Sequence, residues 1–199
     1  MDMINTIDEI AYELMIKLMS SGMTNFMLFM SHLGSAITLI VLTIAFILLL
    51  KNKTNSKFIA INLVLVSAIN RILKLVIARP RPEVLQIVQE SGYSFPSGHS
   101  MSAMIGYGLL VLEVQKSSLK YKKVIEIFLM YKEVKNKKIK YPLIVFLSIL
   151  ILLIGISRIY LGAHYATDVI GGWIIGAVYL AFFIKYGYKK IVKKSKKTF

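Results

Sequence analysis

Three short segments concentrate side chains able to do chemistry in a chain that is otherwise largely apolar. "KLVIARPRP" carries Lys74, Arg79 and Arg81, "SFPSGHSMSA" carries Ser97, Gly98 and His99, and "SRIYLGAHYATD" carries Arg158, His164 and Asp168. Cations, backbone donors and two of the three histidines are the parts that phosphoryl transfer needs: charge neutralisation on the equatorial oxygens, an in-line nucleophile and an acid for the leaving oxygen. Each segment alone has a plainer reading. Lys74 and Arg81 could snorkel to lipid head groups, Ser97 could simply cap a helix, and His164 and Asp168, four apart, could be an ordinary helix pair. If a helix begins near His164, Asp168 accepts a proton from one ring nitrogen and turns the other outward. Only the three segments together point to chemistry.

The elements that must bring them together are membrane helices. Of the 199 residues 56% are apolar, and the net charge is +15. A bilayer core about 30 Å thick takes roughly 20 apolar residues per helix, and five stretches approach that: Leu33–Leu50, Phe58–Ala78, Gly98–Val114, Pro142–Ser157 and Asp168–Lys185. The expected fold is therefore all-α, an integral membrane bundle of about five transmembrane helices forming one domain over residues 1–199. Residues 1–22 precede the core at 33–185, and a basic tail fills 186–199. Ile4, Ile7, Ala11, Leu14, Met15 and Leu18 recur at helical spacing with acids between them, which predicts an amphipathic helix lying on the membrane rather than a cleavable signal peptide. A short interfacial helix over Val124–Met130 is a further expectation. Cysteine is absent, so thiolate metal sites and disulfides are excluded.

Charge orients the bundle. Of 25 Lys and Arg, 19 lie between the first two spans, between the third and fourth, or after the fifth. Alternating spans put all of these on one side, which the positive-inside rule makes cytoplasmic. The N-terminus and all three chemical segments then face outside, and no nucleic-acid partner is expected. The remaining basic residues are Lys17, Arg71, Lys74, Arg79, Arg81 and Arg158. Charges in or at the ends of spans are costly, which marks them as functional candidates. His32, at the outer edge of span one, is expected to be structural, and Gly172 and Gly176 suit close helix packing.

With these residues in view, the chain resembles the type 2 phosphatidic acid phosphatase superfamily. Its signature is a lysine, six residues and Arg-Pro, then Pro-Ser-Gly-His, then Ser-Arg, five residues, His, three residues and Asp, and every position is matched. The resemblance implies that His164 is the nucleophile, Asp168 its orienting carboxylate and His99 the general acid. It also implies that Lys74, Arg81, Ser97, Gly98 and Arg158 bind phosphate oxygens, with no metal or other cofactor. Within the superfamily the chain is most similar to small bacterial enzymes of the cytoplasmic membrane that hydrolyse undecaprenyl diphosphate or phosphatidylglycerol phosphate, so the implied partners are a lipid phosphate or diphosphate and membrane lipids. It departs from the usual six spans and has a longer lysine-rich central loop. Phosphatidate is a further alternative substrate. A transporter that binds lipid phosphate without cleaving it is the first rival, needing the cations but not the two histidines with Asp168. The others are a structural membrane protein that keeps only the fold, and a soluble phosphatase or haloperoxidase.

Overall fold

The computed structural model describes residues 3–35, 37–39, 41, 53–116, 137–183 and 185. Among these there is no strand, and the helices are α1 (Met3–Lys17), α2 (Ser21–Leu33), α3 (Lys53–Ile77), α4 (Gly98–Lys116), α5 (Lys137–Tyr160) and α6 (Ala166–Phe182). The last four coincide with four of the expected spans. Most of the first expected span, Leu33–Leu50, lies outside the described residues, as do Val124–Met130 and the tail 186–199.

One element was not expected. A separate helix, α2, follows α1 after a break at Leu18–Ser20, where the Ser20 hydroxyl accepts the Met23 N–H at 3.3 Å and so caps the new start. His32 is therefore an exposed residue in the last turn of α2.

Hydrophobicity on every side distinguishes α5. Leu147, Leu150, Ile151 and Ile154 are buried, yet Val145, Phe146, Ile149 and Leu152 are exposed on the opposite face. A helix apolar all round needs an apolar environment on both sides. Among the described residues, α5 is the one helix long and apolar enough to cross a membrane by length and composition, and α6 is apolar but shorter.

The bundle centres on α4, which packs chiefly against α5 and α6 and also against α3. Ala103 and Tyr107 of α4 join the buried face of α5 and Met30 of α2 in the main core cluster. On α6 the buried residues Asp168, Gly172, Gly176 and Leu180 form one stripe. A Cβ on Gly172 would stand 2.7 Å from the Ser97 carbonyl oxygen, and one on Gly176 would stand 3.0 Å from the Met101 carbonyl oxygen. The glycines therefore let α6 approach the backbone of α4, a contact within one chain, and they bring the start of α4 beside Asp168.

Gly172→Ala should lower the thermal unfolding midpoint, because the collision is with backbone and its cost of about 1–3 kcal/mol outweighs the roughly 1 kcal/mol of helix propensity gained. Gly22→Ala, whose added Cβ meets nothing within 4 Å, should keep or raise the midpoint in the same measurement.

Candidate active site

Local geometry folds the three segments onto one another. Ala78, at φ 50°, ends α3 in a left-handed turn, after which the Pro80 and Pro82 rings exclude further helix. The connection then runs beneath the α5–α6 turn. Gly162 is left-handed (φ 69°), and a Cβ there would lie 2.1 Å from the Leu85 carbonyl oxygen, so only glycine fits. The Val88 N–H donates to the Leu161 carbonyl at 3.3 Å. Within the connection the Ser94 N–H donates to the Arg79 carbonyl at 2.8 Å, and its hydroxyl to the Pro80 carbonyl at 2.9 Å.

Every residue expected at the site lies at this end of the bundle. His164 is buried in the turn just before α6 rather than on the helix, yet its Nδ1 stands 3.6 Å from Asp168 Oδ2. That is slightly beyond hydrogen-bond length, and Nδ1 has no hydrogen-bond partner. Asp168 is fully buried, and its Oδ2 also accepts the Tyr165 N–H at 2.9 Å, one half of a capping box. The other ring nitrogen, Nε2, lies 3.5 Å from Arg81 Nη1. Arg81 donates besides to the carbonyls of Ala163 (2.7 Å), Gly92 (2.9 Å) and Ser91 (3.1 Å). Arg158 is 2% exposed, hydrogen-bonds to the Ser31 hydroxyl and keeps a buried Nε without a partner.

Three expected residues serve the architecture in this state. The Lys74 ammonium hydrogen-bonds to the Tyr93 carbonyl and, at 3.4 Å, to that of Ser94, so it grips the same loop as Arg81. Ser97 caps α4, its hydroxyl accepting from the Ser100 N–H (3.4 Å) and hydroxyl (2.9 Å), while its own N–H donates to the Asp168 backbone carbonyl at 3.0 Å. Gly98 passes the Asn70 side chain, which would stand 3.3 Å from a Cβ, and Asn70 Nδ2 donates to the Pro96 carbonyl at 3.2 Å. His99 sits near the end of α2, where a Cβ on Gly34 would approach its ring Cδ2 to 3.5 Å. Arg71 is exposed on α3.

The residue that sequence reasoning missed is Glu90. Its carboxylate pairs with Arg158, lies 3.3 Å from Arg81 Nη2 and 3.9 Å from His164 Nε2. Burial would raise its pKa, but the permanent charges of Arg158 foremost and of Arg81 outweigh burial and hold it below the usual carboxylate range. Two guanidiniums and Nε2 thus converge on an oxyanion supplied by the chain itself. His164 is pushed down to about 4, first by burial and then by Arg158 and Arg81, against the opposing pull of Asp168. Its ring is therefore neutral at physiological pH. No periodicity marks Glu90, which lies in an irregular segment. Among the described residues, no group of three or more His, Asp or Glu is arranged to hold a metal ion.

Comparison with known proteins follows the same lines. A model of the PAP2 superfamily matches residues 56–191. The phosphatidylglycerophosphatase B of Bacillus subtilis (strain 168) is 37% identical over 126 residues, 63% of this chain and 54% of that protein. The undecaprenyl-diphosphatase BcrC of the same organism is 29% identical over 123 residues, 59% of this chain and 50% of that one. The chain thus spans about half the length of the curated relatives it matches. The crystal structure of a transmembrane PAP2 type phosphatidylglycerolphosphate phosphatase from Bacillus subtilis superposes with a TM-score of 0.72 at 26% identity, covering 96% of this chain and 88% of that one. Aquifex aeolicus LpxE shares the fold at a TM-score of 0.61 and 22% identity, covering 88% of this chain and 93% of that one. With the family match extending over about two thirds of its length, the chain belongs to the PAP2 superfamily.

Proposed function

We propose that this protein is a metal-independent lipid phosphatase of the bacterial cytoplasmic membrane. It is a single domain over residues 1–199 with five spans, its N-terminus and active site outside and its C-terminus inside. The observation that carries the reading is the convergence of Arg81, Arg158 and His164 Nε2 on the Glu90 carboxylate, because that carboxylate stands where a phosphate group would bind. The exposed apolar faces of α3, α5 and α6 support a lipid environment around the site, and the basic residues placed between and after the spans support the orientation.

In the reaction, the phosphate group displaces Glu90 and takes its charge partners, Arg81 and Arg158, with Lys74 and the Ser97–Gly98 backbone completing the cradle. Neutral His164 attacks phosphorus through Nε2 while Asp168, closing the present 3.6 Å gap to Nδ1, accepts the Nδ1–H as a hydrogen bond. The bond from phosphorus to the leaving oxygen breaks, and His99, which takes up a proton as the anionic substrate settles beside it, passes that proton to this oxygen. Water, giving a proton back to His99, then attacks the phosphohistidine, releasing phosphate and restoring His164. The substrate class is a lipid phosphate or diphosphate, with undecaprenyl diphosphate the first candidate. Phosphatidylglycerol phosphate is the second reading, favoured by the higher identity to the relative named for it, 37% against 29%.

His164→Ala should abolish phosphate release from both lipids, by at least about a thousandfold, and normal turnover in that variant would sink the assignment. For the wild type, the acid limb of kcat/KM assigned to His164 should fall near pH 4 rather than near 6.5. The folded site lowers this group's pKa, so the attacking neutral ring persists until pH falls through the folded value. A wild-type profile that already falls away below pH 6–7 would contradict the burial of the ring. Glu90→Gln removes the competing carboxylate and should tighten competitive inhibition by vanadate roughly five- to tenfold, equivalent to about 1 kcal/mol. Unchanged or weaker inhibition would mean that Glu90 does not compete for the anion site.

A further inference from the structure

Arg79 is one of the basic residues that the signature does not use, and Asp8 is the one buried residue of α1, at 4% exposure. An acid buried on a helix whose other residues are exposed or half-buried needs partners. Asp8 Oδ2 accepts from Arg79 Nη2 at 2.7 Å, its Oδ1 accepts the Thr167 N–H at 2.9 Å, and the Thr167 hydroxyl lies within 3.0 Å of both oxygens. The other arm of the fork, Arg79 Nη1, lies 2.7 Å from Asp168 Oδ1 and 2.7 Å from the Thr167 hydroxyl. The guanidinium lies over the Tyr165 ring, 4.1 Å from its centroid. One arginine therefore clasps two carboxylates, one of them the partner of His164. Because Oδ1 of Asp168 is taken, Oδ2 is the oxygen that faces the histidine.

We infer that Arg79 and Asp8 are positioning residues for the His164–Asp168 pair, with α1 setting, through Arg79, both the orientation of Asp168 and the share of its negative charge felt at His164. The inference rests on the reading of His164 as nucleophile and Asp168 as its orienting carboxylate. A brace that only docked α1 would need no charge: Ala11 and Met15 already pack on the cluster of Ile159, Ala166 and Val169. The clasp does something a brace does not. Arg79 offsets Asp168, and Asp8 draws part of that offset away. Removing the arginine charge therefore leaves Asp168 better able to favour a protonated His164, and removing the Asp8 charge leaves it less able. The two changes act in opposite directions. The other charges facing His164 are Arg81 and Glu90 from the connection, Arg158 from α5 and, when protonated, His99 from α4, and neither substitution alters them.

The test is the pH profile of phosphate release from phosphatidylglycerol phosphate by the full chain, for wild type, Arg79→Gln, Arg79→Lys, Asp8→Asn and His164→Ala. In Arg79→Gln the acid limb of kcat/KM should rise by about one pH unit, with kcat down at least tenfold and KM within threefold. Arg79→Lys keeps the charge and should return the limb to its wild-type position, although kcat stays reduced because an ammonium cannot clasp both carboxylates. In Asp8→Asn the limb should move down by several tenths of a unit. An unmoved limb in both Arg79→Gln and Asp8→Asn, or an upward move in both, overturns the positioning role. If Arg79→Gln does not fold, Asp8→Asn decides alone: a downward move supports the role, and an unmoved or raised limb overturns it. His164→Ala separates the two levels. Retained turnover there removes the nucleophile reading and this inference with it, whereas a dead His164→Ala with unmoved limbs removes only the inference.

Discussion

Like charges held together at the mouth of an apolar bundle repel one another, and much of this end of the molecule exists to keep them there. Two unit charges 4 Å apart interact by about 4 kcal/mol at an effective dielectric constant near 20, comparable with a large part of the stability of a folded domain. Arg81 and Arg158 meet that cost by sharing one carboxylate, that of Glu90. Arg79 meets it by bridging two, those of Asp8 and Asp168. Lys74 and Arg81 in addition place their donors on loop carbonyls between residues 91 and 94. The cations are consequently fixed in place by acceptors that the chain itself supplies.

Such a cluster needs a rigid frame, and the frame is made from close backbone approach more than from large side chains. Gly172 and Gly176 let α6 lie against α4. The Ser97 N–H then reaches the Asp168 carbonyl, so the start of α4 and the first turn of α6 are joined directly. Gly162 does the same for the α5–α6 turn against the connection at Leu85. A shift of either turn would move a histidine relative to the carboxylate and the guanidiniums.

The helices α3 to α6 were legible because their apolar runs are long, and the three polar segments were legible because their residue types and spacings are unusual at the ends of such runs. What escaped was set by contacts distant in sequence. Glu90 sits in a stretch without periodicity, and only the path of the connection beneath the α5–α6 turn brings it to Arg158. Asp8 looked like one of several acids on the polar face of an amphipathic helix. Its partners are 71 and 159 residues away, and no local pattern announces them. The same helix shows a second departure: Ile4, Ile7 and Leu14 are exposed as an interfacial face requires, but Ala11 and Met15 turn inward onto the bundle. The apolar stripe serves two surfaces at once. The start of α2 was missed because its polar Ser20 to Asn25 stretch hides the helix between two more apolar segments.

The clasp around Arg79 also has a history within each molecule. Chains leave the ribosome from the N-terminus at about 5–20 residues per second, and 89 residues separate Arg79 from Asp168. Once Arg79 has been made, roughly 4–18 s pass at that rate before its second carboxylate exists. Asp8 lies 71 residues before Arg79 and so precedes it in synthesis. The two carboxylates that Arg79 bridges are thus made far apart in time, one before the cation and one well after it, and the clasp is complete only once residue 168 has been added.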